Sequence, residues 1–330
     1  MKSSIDFVFT WVNGNDKKWI EKKKLYLEGT KSKFDKNDDV RFRDYDTLRY
    51  ALRSVEKYAP WVRKIFLITD EQKPKWLNNE NEKLIVIDHS QIIDKKYLPL
   101  FNSNAIELNM DKIPGLSENF VYFNDDMLLT QPTNSKDFFY DNLPCDFRIY
   151  SDIIPIEDFN HIPINNEILL NKYINNNWPL SRNGLVNKVY GKHQLKELPF
   201  LIQAKKRGIP GYIEPHGPLS FKKETFQKGR KIWKKEFESM NTHRFRSKDD
   251  ISIWLLRHLQ LEFGQFNPIN PDRNRTYPID NLHSLKLELE KGNALSICIN
   301  DNEVSDYNKK IEEIKELLQQ KYPKKSQFEK

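Results

Sequence analysis

The chain has 330 residues, with 54 Lys and Arg against 47 Asp and Glu, giving a formal charge of +7 at neutral pH with histidine uncharged. Its 11 Gly and 2 Cys exclude a collagen-like protein or a disulfide scaffold, and 12% aromatic residues exclude a disordered chain. The length suits one large domain or two intimate ones around a substantial core.

The charge is well mixed, and no zinc-finger, RNP or basic-helix pattern occurs. The modest basic excess therefore favours phosphate-bearing or polyanionic ligands and an anionic membrane surface over nucleic acid. Apolar runs such as Ile65-Phe66-Leu67-Ile68 are far too short to span a bilayer, and Met1 to Asp6 contain no signal-peptide core. Cys145 and Cys298 belong to no CxxC or Cys/His pattern, which favours a reduced, cytosolic setting while leaving one bridge open.

Residues 5–10 read as a short buried strand ended by the turn-forming Asn13-Gly14. Asp16 is placed to cap a Lys-rich helix over residues 17–28, and the polar residues 30–40 read as a loop. From Asp44 onward, Tyr45, Leu48, Leu52 and Val55 recur at helical spacing until Pro60 stops the pattern. Residues 62–69, 84–87 and 120–123 supply three more strands with helical segments between several of them. Such alternation predicts an α/β fold, a mixed or mostly parallel sheet flanked by helices, with its site at the strand C-terminal ends. Residues 150–205, rich in Asn, Ile and Pro, read as a partly helical insertion or lid. An amphipathic helix is expected over 248–262, through Ile251, Trp254, Leu255, His258 and Leu259. A last helix carries Val304, Tyr307, Ile311, Ile314 and Leu318 on one face, with Ser305 near its start.

Asn124-Asp125-Asp126 follows the strand over 120–123. Two adjacent carboxylates at a strand end suit a hard divalent cation, and equally an Asx-rich turn. Glu107 is placed to act as a general base or a hydroxyl contact, although an ordinary helix glutamate is the simpler account. His216 lies in Glu214-Pro215-His216-Gly217-Pro218, a loop fixed on both sides, where a neutral imidazole can accept a proton or simply hold the loop. Arg41, Arg43, Arg49 and Arg53 form a cluster in which Arg49 and Arg53 share a helix face. Guanidinium forks grip diphosphates, and a solvated helix face is the alternative. Arg246 stands before Ser247-Lys248-Asp249-Asp250, able to meet a phosphate or to pair with Asp250. Neither GxGxxG nor GxxxxGK[ST] occurs, so nucleotide binding would use another architecture.

The stretch Ile5-Asp6-Phe7-Val8-Phe9-Thr10-Trp11-Val12-Asn13-Gly14-Asn15-Asp16 resembles the first characteristic region of the Stealth family. A second region is similar at Arg43-Asp44-Tyr45, at residues 48–56 and 59–63, and at Phe101, Ala105-Ile106-Glu107 and Phe123-Asn124-Asp125-Asp126. A third is similar at Pro215-His216-Gly217-Pro218 with Arg246 and Asp249-Asp250, and a fourth at residues 298–301 with 322–329. The family comprises hexose-1-phosphate transferases of bacterial surface polysaccharides and the related animal N-acetylglucosamine-1-phosphotransferase subunits.

The resemblance implies a nucleotide-sugar-binding type of α/β fold as one composite domain over 1–330. Residues 1–149 would bind nucleotide sugar and metal, 150–205 form the variable part, and 206–330 complete the site. It implies Glu107, Asp126, His216 and Arg246 as the residues important for activity. Asp125 and Asp126 would hold Mg or Mn, Arg246 would steady the phosphate, His216 would act as base, and Glu107 would position the acceptor or the sugar. Trp11, Asn13, Gly14, Arg49, Arg53 and Asn124 would bind a UDP-sugar donor, with Trp11 stacking on the base or else packing in the core. The acceptor would be a lipid-linked oligosaccharide, met in the cytoplasm at the inner membrane face without any membrane-spanning segment. A metal-dependent glycosyltransferase releasing UDP is the nearest alternative, and a non-catalytic carbohydrate- or nucleic-acid-binding protein a distant one.

Overall fold

The computed structural model describes residues 4–27, 42–78 and 80–330. The loop expected over 30–40 and Arg41 lie outside the described residues. The centre is a five-stranded sheet in the order β3-β2-β1-β4-β8. Its strands are β1 (Ile5–Thr10), β2 (Ile65–Thr69), β3 (Leu84–Asp88), β4 (Asn119–Asn124) and β8 (Leu219–Lys222). The first four run parallel, and β8 pairs antiparallel with β4. In register, Phe9 lies between Leu67 and Phe123.

Because side chains alternate across a strand and helices cover both faces, the sheet divides the interior into two cores. Ile5, Phe7 and Phe9 enter a first core with Ile65, Leu67, Val121 and Phe123, whereas Val8 enters a second with Phe66, Ile68, Phe120 and Tyr122. This double burial explains why the strands read as continuous apolar runs.

The first core is closed by helices α2 (Thr47–Tyr58), α9 (Leu282–Lys291) and α10 (Tyr307–Lys321). A small sheet also covers it, in which β5 (Met127–Leu129) pairs antiparallel with β11 (Ser296–Asn300), itself parallel to β10 (Asn274–Pro278). Phe328 is fully buried in this core as well. The second core takes residues from α4 (His161–Ile174), α5 (Lys192–Arg207), α6 (Lys223–Ile232), α7 (Lys234–Met240) and α8 (Ile253–Glu262). A third small sheet joins β6 (Phe139–Tyr140), β7 (Leu143–Asp146) and β9 (Asn267–Pro268). Helices α1 (Lys17–Leu27) and α3 (Ser103–Glu107) complete the set used below.

Several boundaries move for local reasons. Asp16 does cap α1, accepting from the Trp19 amide at 3.0 Å. Helix α2 starts at Thr47 and not at Asp44, because the Asp46 amide donates to the Asp44 carboxylate (2.9 Å) in a turn that leaves Asp46 at φ 72°. Strand β2 starts at Ile65, since the Val62 amide still turns back to the Ala59 carbonyl. Helix α8 starts at Ile253 and is buried all round, Arg257, His258, Gln260 and Glu262 included, so the amphipathic expectation is replaced by a core helix carrying charge.

Residues 150–205 are helical in part, as expected, but they do not stand apart. Asn166 and Ser252 exchange two hydrogen bonds of 2.9 and 3.1 Å between α4 and the start of α8, and Ile162, Leu170 and Ile174 are buried. Cys145 and Cys298 are buried free thiols, which removes the bridge. Among the described residues, no helix is long and apolar enough to cross a membrane.

Candidate functional site

The parallel strands end together at Thr10, Thr69 and Asn124, and the site is built there. Tyr122, on the second-core face of β4, turns its hydroxyl to Thr10 Oγ1 (3.0 Å), Glu107 Oε1 (3.1 Å) and Asn124 Oδ1 (2.5 Å). One phenol thus ties the ends of β1 and β4 to α3. Helix α3 is short and is fixed by Asn102, whose Oδ1 accepts from the Asn104 amide and whose Nδ2 donates to the fully buried Asp250 (2.8 Å).

Asp250 also takes His243 Nδ1 at 2.8 Å, so its two oxygens serve Asn102 and His243. Arg246 instead reaches Ser103 Oγ at the start of α3 (3.4 Å) and lies over the Phe159 ring. Burial pushes the Glu107 carboxyl up to about 7, against the opposing pull of the Tyr122 hydrogen bond and the Arg246 charge.

Asp125 and Asp126 occupy the turn between β4 and β5. Burial, then the neighbouring charges of Asp126 and Asp44, raise the Asp125 carboxyl well above the usual range. Burial pushes Asp126 up to about 6, although the Cys298 thiol donates to Oδ2 at 3.4 Å and holds it down. The Ile299 amide fixes the Asp126 carbonyl at 3.0 Å. Asp126 Oδ1 is buried without a hydrogen-bond partner, as is Oδ2 of Asp301, whose other oxygen meets Arg43 at 3.5 Å.

Among the described residues, no three His, Cys, Asp or Glu side chains converge as a closed metal cage. An open pair of hard oxygen donors with an unpartnered buried oxygen nevertheless fits magnesium, which keeps waters and takes one or two carboxylates together with substrate phosphates.

His216 is exposed on its loop. Gly217 makes the loop possible by close approach, since a Cβ there would come within 2.7 Å of Asn274 Cβ. Thr276 donates toward the His216 carbonyl (3.5 Å), and Thr276 is the register partner of Cys298, which pairs with Met127 beside Asp126. The histidine loop and the acidic turn therefore flank one small sheet.

Behind the loop, Glu214 is gripped by Arg257 NH1 (2.7 Å) and His258 Nε2 (2.5 Å) from α8. Arg257 also holds Asp146 at 2.8 and 2.9 Å. His258 Nδ1 lies 2.8 Å from Glu167 as an ion pair outside hydrogen-bond alignment, and the ring stacks on Tyr212 at 3.9 Å. Burial disfavours the imidazolium, but the charges of Glu214 and Glu167 outweigh it and push His258 up to about 9.

The donor-binding expectations separate. Asn13 and Gly14 sit at the end of β1, with Asn13 exchanging two backbone-to-side-chain bonds with Gln72 (2.8 and 3.0 Å). Gly14 passes so close to the Phe42 carbonyl that a Cβ would fall 2.2 Å from its oxygen. Trp11 is buried in the first core, next to Asp44, and offers no open stacking face. Arg53 is buried in a bidentate pair with Glu329 (2.7 and 2.8 Å) and also serves Gln319 and the Tyr322 carbonyl. Its fork is filled by a carboxylate, which removes it as a diphosphate ligand. Arg49 pairs with Asp46 at 2.9 Å and lies over Trp76.

Sequence reasoning missed Tyr122, Asp44, Asp301 and the His258 pair. Tyr122 was legible only as part of an apolar run, and His258 only as one member of a helix face.

The acidic turn at the ends of parallel strands, with Glu107 tied to it through Tyr122 and Asn124, belongs to an α/β protein with a mixed sheet flanked by helices. Models of Stealth protein conserved regions 1, 2 and 3 match residues 3–31, 41–145 and 215–259, and the chain belongs to the Stealth family. It is 40% identical, over 99% of its length and 96% of the relative's, to exopolysaccharide phosphotransferase cps2G of Lactiplantibacillus plantarum. It is 38% identical to capsular polysaccharide phosphotransferase WcwK of Streptococcus pneumoniae, over 99% and 98% of the two chains. Among solved structures, galactosyltransferase LgtC is similar at a TM-score of 0.41 and 12% identity, covering 96% of this chain and 95% of that one.

Proposed function

We propose that the chain is a polysaccharide phosphotransferase that moves hexose-1-phosphate, or N-acetylhexosamine-1-phosphate, from a UDP-sugar to a hydroxyl of an acceptor sugar. The observation that carries this reading is the Asp125-Asp126 turn with its unpartnered Asp126 Oδ1, which directly follows Asn124, a residue that shares the Tyr122 hydroxyl with Glu107. The family membership and the names of the full-length relatives support the polysaccharide and the phosphotransfer.

The acceptor oxygen attacks the phosphorus attached to the sugar. A new O–P bond forms as the bridging P–O bond of the diphosphate breaks, UMP leaves with that bridging oxygen, and the acceptor proton passes to His216. Phosphoryl transfer of this kind is mostly positioning and charge stabilisation. Asp125 and Asp126 would hold a magnesium or manganese ion, which when bound neutralises the diphosphate. Arg246, next to α3, stabilises the equatorial phosphate oxygens. Glu107 orients the acceptor hydroxyl, anchored by Tyr122. The acceptor is an oligosaccharide, lipid-linked and met at the inner face of the membrane.

Incubation with a panel of UDP-sugars, magnesium and an acceptor oligosaccharide tests the reading by the nucleotide released. UMP together with a product phosphodiester is expected. UDP with a phosphorus-free product would replace phosphotransfer by glycosyl transfer.

A further inference from the structure

Helix α5 carries a surface that the catalytic reading leaves unused. Its side chains Leu195, Leu198 and Ile202 are 79%, 57% and 53% exposed. Spaced three and four apart, they form one strip along the helix. The opposite face is pinned inward: Ala204 and Glu197 are buried, and Glu197 Oε1 accepts from the Tyr150 amide at 3.1 Å.

The apolar strip is bordered by exposed Lys192, Lys196, Lys205, Lys206 and Arg207, while the helix's one acid, Glu197, faces the interior. Asp272 meets Lys192 at 3.9 Å, and His193 at 2.8 Å, near the N-terminal end alone. Ten of the fifteen exposed large apolar side chains among the described residues fall between 150 and 205, three of them in this one strip of α5, where single exposed apolar residues would need no account.

We infer that the outer face of α5 docks the protein onto an anionic lipid bilayer, with Leu195, Leu198 and Ile202 entering the interface and the flanking lysines meeting the headgroups. A 16-residue helix is about 24 Å long and lies in the surface plane as amphipathic interfacial helices do. The charge pattern selects lipid over a second copy. Two copies meeting through this face would bring like-charged lysine borders together, whereas an anionic surface neutralises both borders at once.

Sedimentation with sucrose-loaded vesicles tests this without any turnover, so its outcome is separate from that of the proposed reaction. Partitioning to phosphatidylcholine–phosphatidylglycerol vesicles is expected, weak on phosphatidylcholine alone and falling as salt rises. The variant Leu195→Gln/Leu198→Gln/Ile202→Gln should lose it while melting as the parent does, because the three side chains are exposed. Lys196→Gln/Lys205→Gln/Lys206→Gln should weaken it about fivefold per lysine, roughly a hundredfold in all. Absence of binding to the anionic vesicles, or binding unchanged in the apolar variant, overturns the inference. A dimer in sedimentation equilibrium that the apolar variant dissociates, with no vesicle binding, assigns the face to a second copy.

Discussion

Replacing His258 by Gln should make the protein's stability lose its dependence on alkaline pH. His258 is 1% exposed, stacked on Tyr212 and flanked by Glu167 and Glu214. Its imidazole is pushed from an ordinary 6.5 up to about 9. At about 1.36 kcal/mol for each pH unit, that shift corresponds to about 3 kcal/mol of folded-state stability. The folded pKa is raised, so this contribution is complete below pH 6.5 and disappears as pH rises through 9. About 2 kcal/mol of it should vanish between pH 7.5 and 9.5, a window above the values near 7 that buried Glu107 and Glu197 reach. Glu167 makes the coupling severe: neither of its oxygens has a hydrogen bond, so His258 is its counter-charge. Urea titrations at pH 6.5, 7.5, 8.5 and 9.5 read the effect. The parent should lose about 2 kcal/mol across the upper window, and His258→Gln should start lower and stay nearly level. A flat parent profile, or the same slope in the variant, refutes the charged buried histidine.

EDTA should abolish turnover and magnesium or manganese restore it, with Asp126→Asn imitating chelation; full activity in chelator removes the cation. Arg246→Lys should lose more than tenfold in kcat, about 1.4 kcal/mol or more, since lysine keeps the charge but not the planar fork; an unchanged rate leaves Arg246 as a support for α3. His216→Ala should cut turnover by about 10²–10⁴ with donor binding intact, and Glu107→Gln should remove any acid limb near pH 7 that the parent shows; normal turnover in His216→Ala transfers the base role to Glu107. Arg53→Met should cost about 3–5 kcal/mol in denaturation by stranding the Glu329 carboxylate, with KM for the donor unmoved; a raised donor KM at full stability would return Arg53 to the binding site.

The four parallel strands were legible because each is a short apolar run, and their burial on both faces explains why no alternation was visible; polar or very short strands such as β10 were not. Strand order was not legible, since β1 pairs with β4 across more than a hundred residues and nothing local encodes it. The same distance effect decided the arginines. Arg49 and Arg53 share a helix face as their spacing predicts, but the anion that separates them is Glu329, a side chain from the far end of the chain.

Asp125 and Asp126 stood out by chemistry, whereas Asp301 enters their surroundings only because β11 pairs with β5. Glu107 looked like an ordinary helix residue because its partner, Tyr122, arrives from another element. Residues 150–205 were read correctly as helical in part, yet their inner faces close the second core, which composition alone does not reveal.

The way the first core is closed has a consequence for synthesis. Phe7 and Phe9 emerge early from the ribosome, but the side chains that cover their face include Ile297, Ile299, Ile311, Ile314, Leu318 and Phe328. At 5–20 residues per second, that apolar strand face waits roughly 15–60 s for its cover. The second core is assembled from residues up to Phe266 and can close earlier. Translation thus exposes one side of the nascent sheet after the other is sealed, and it is this late-covered side that a chaperone would have to shield.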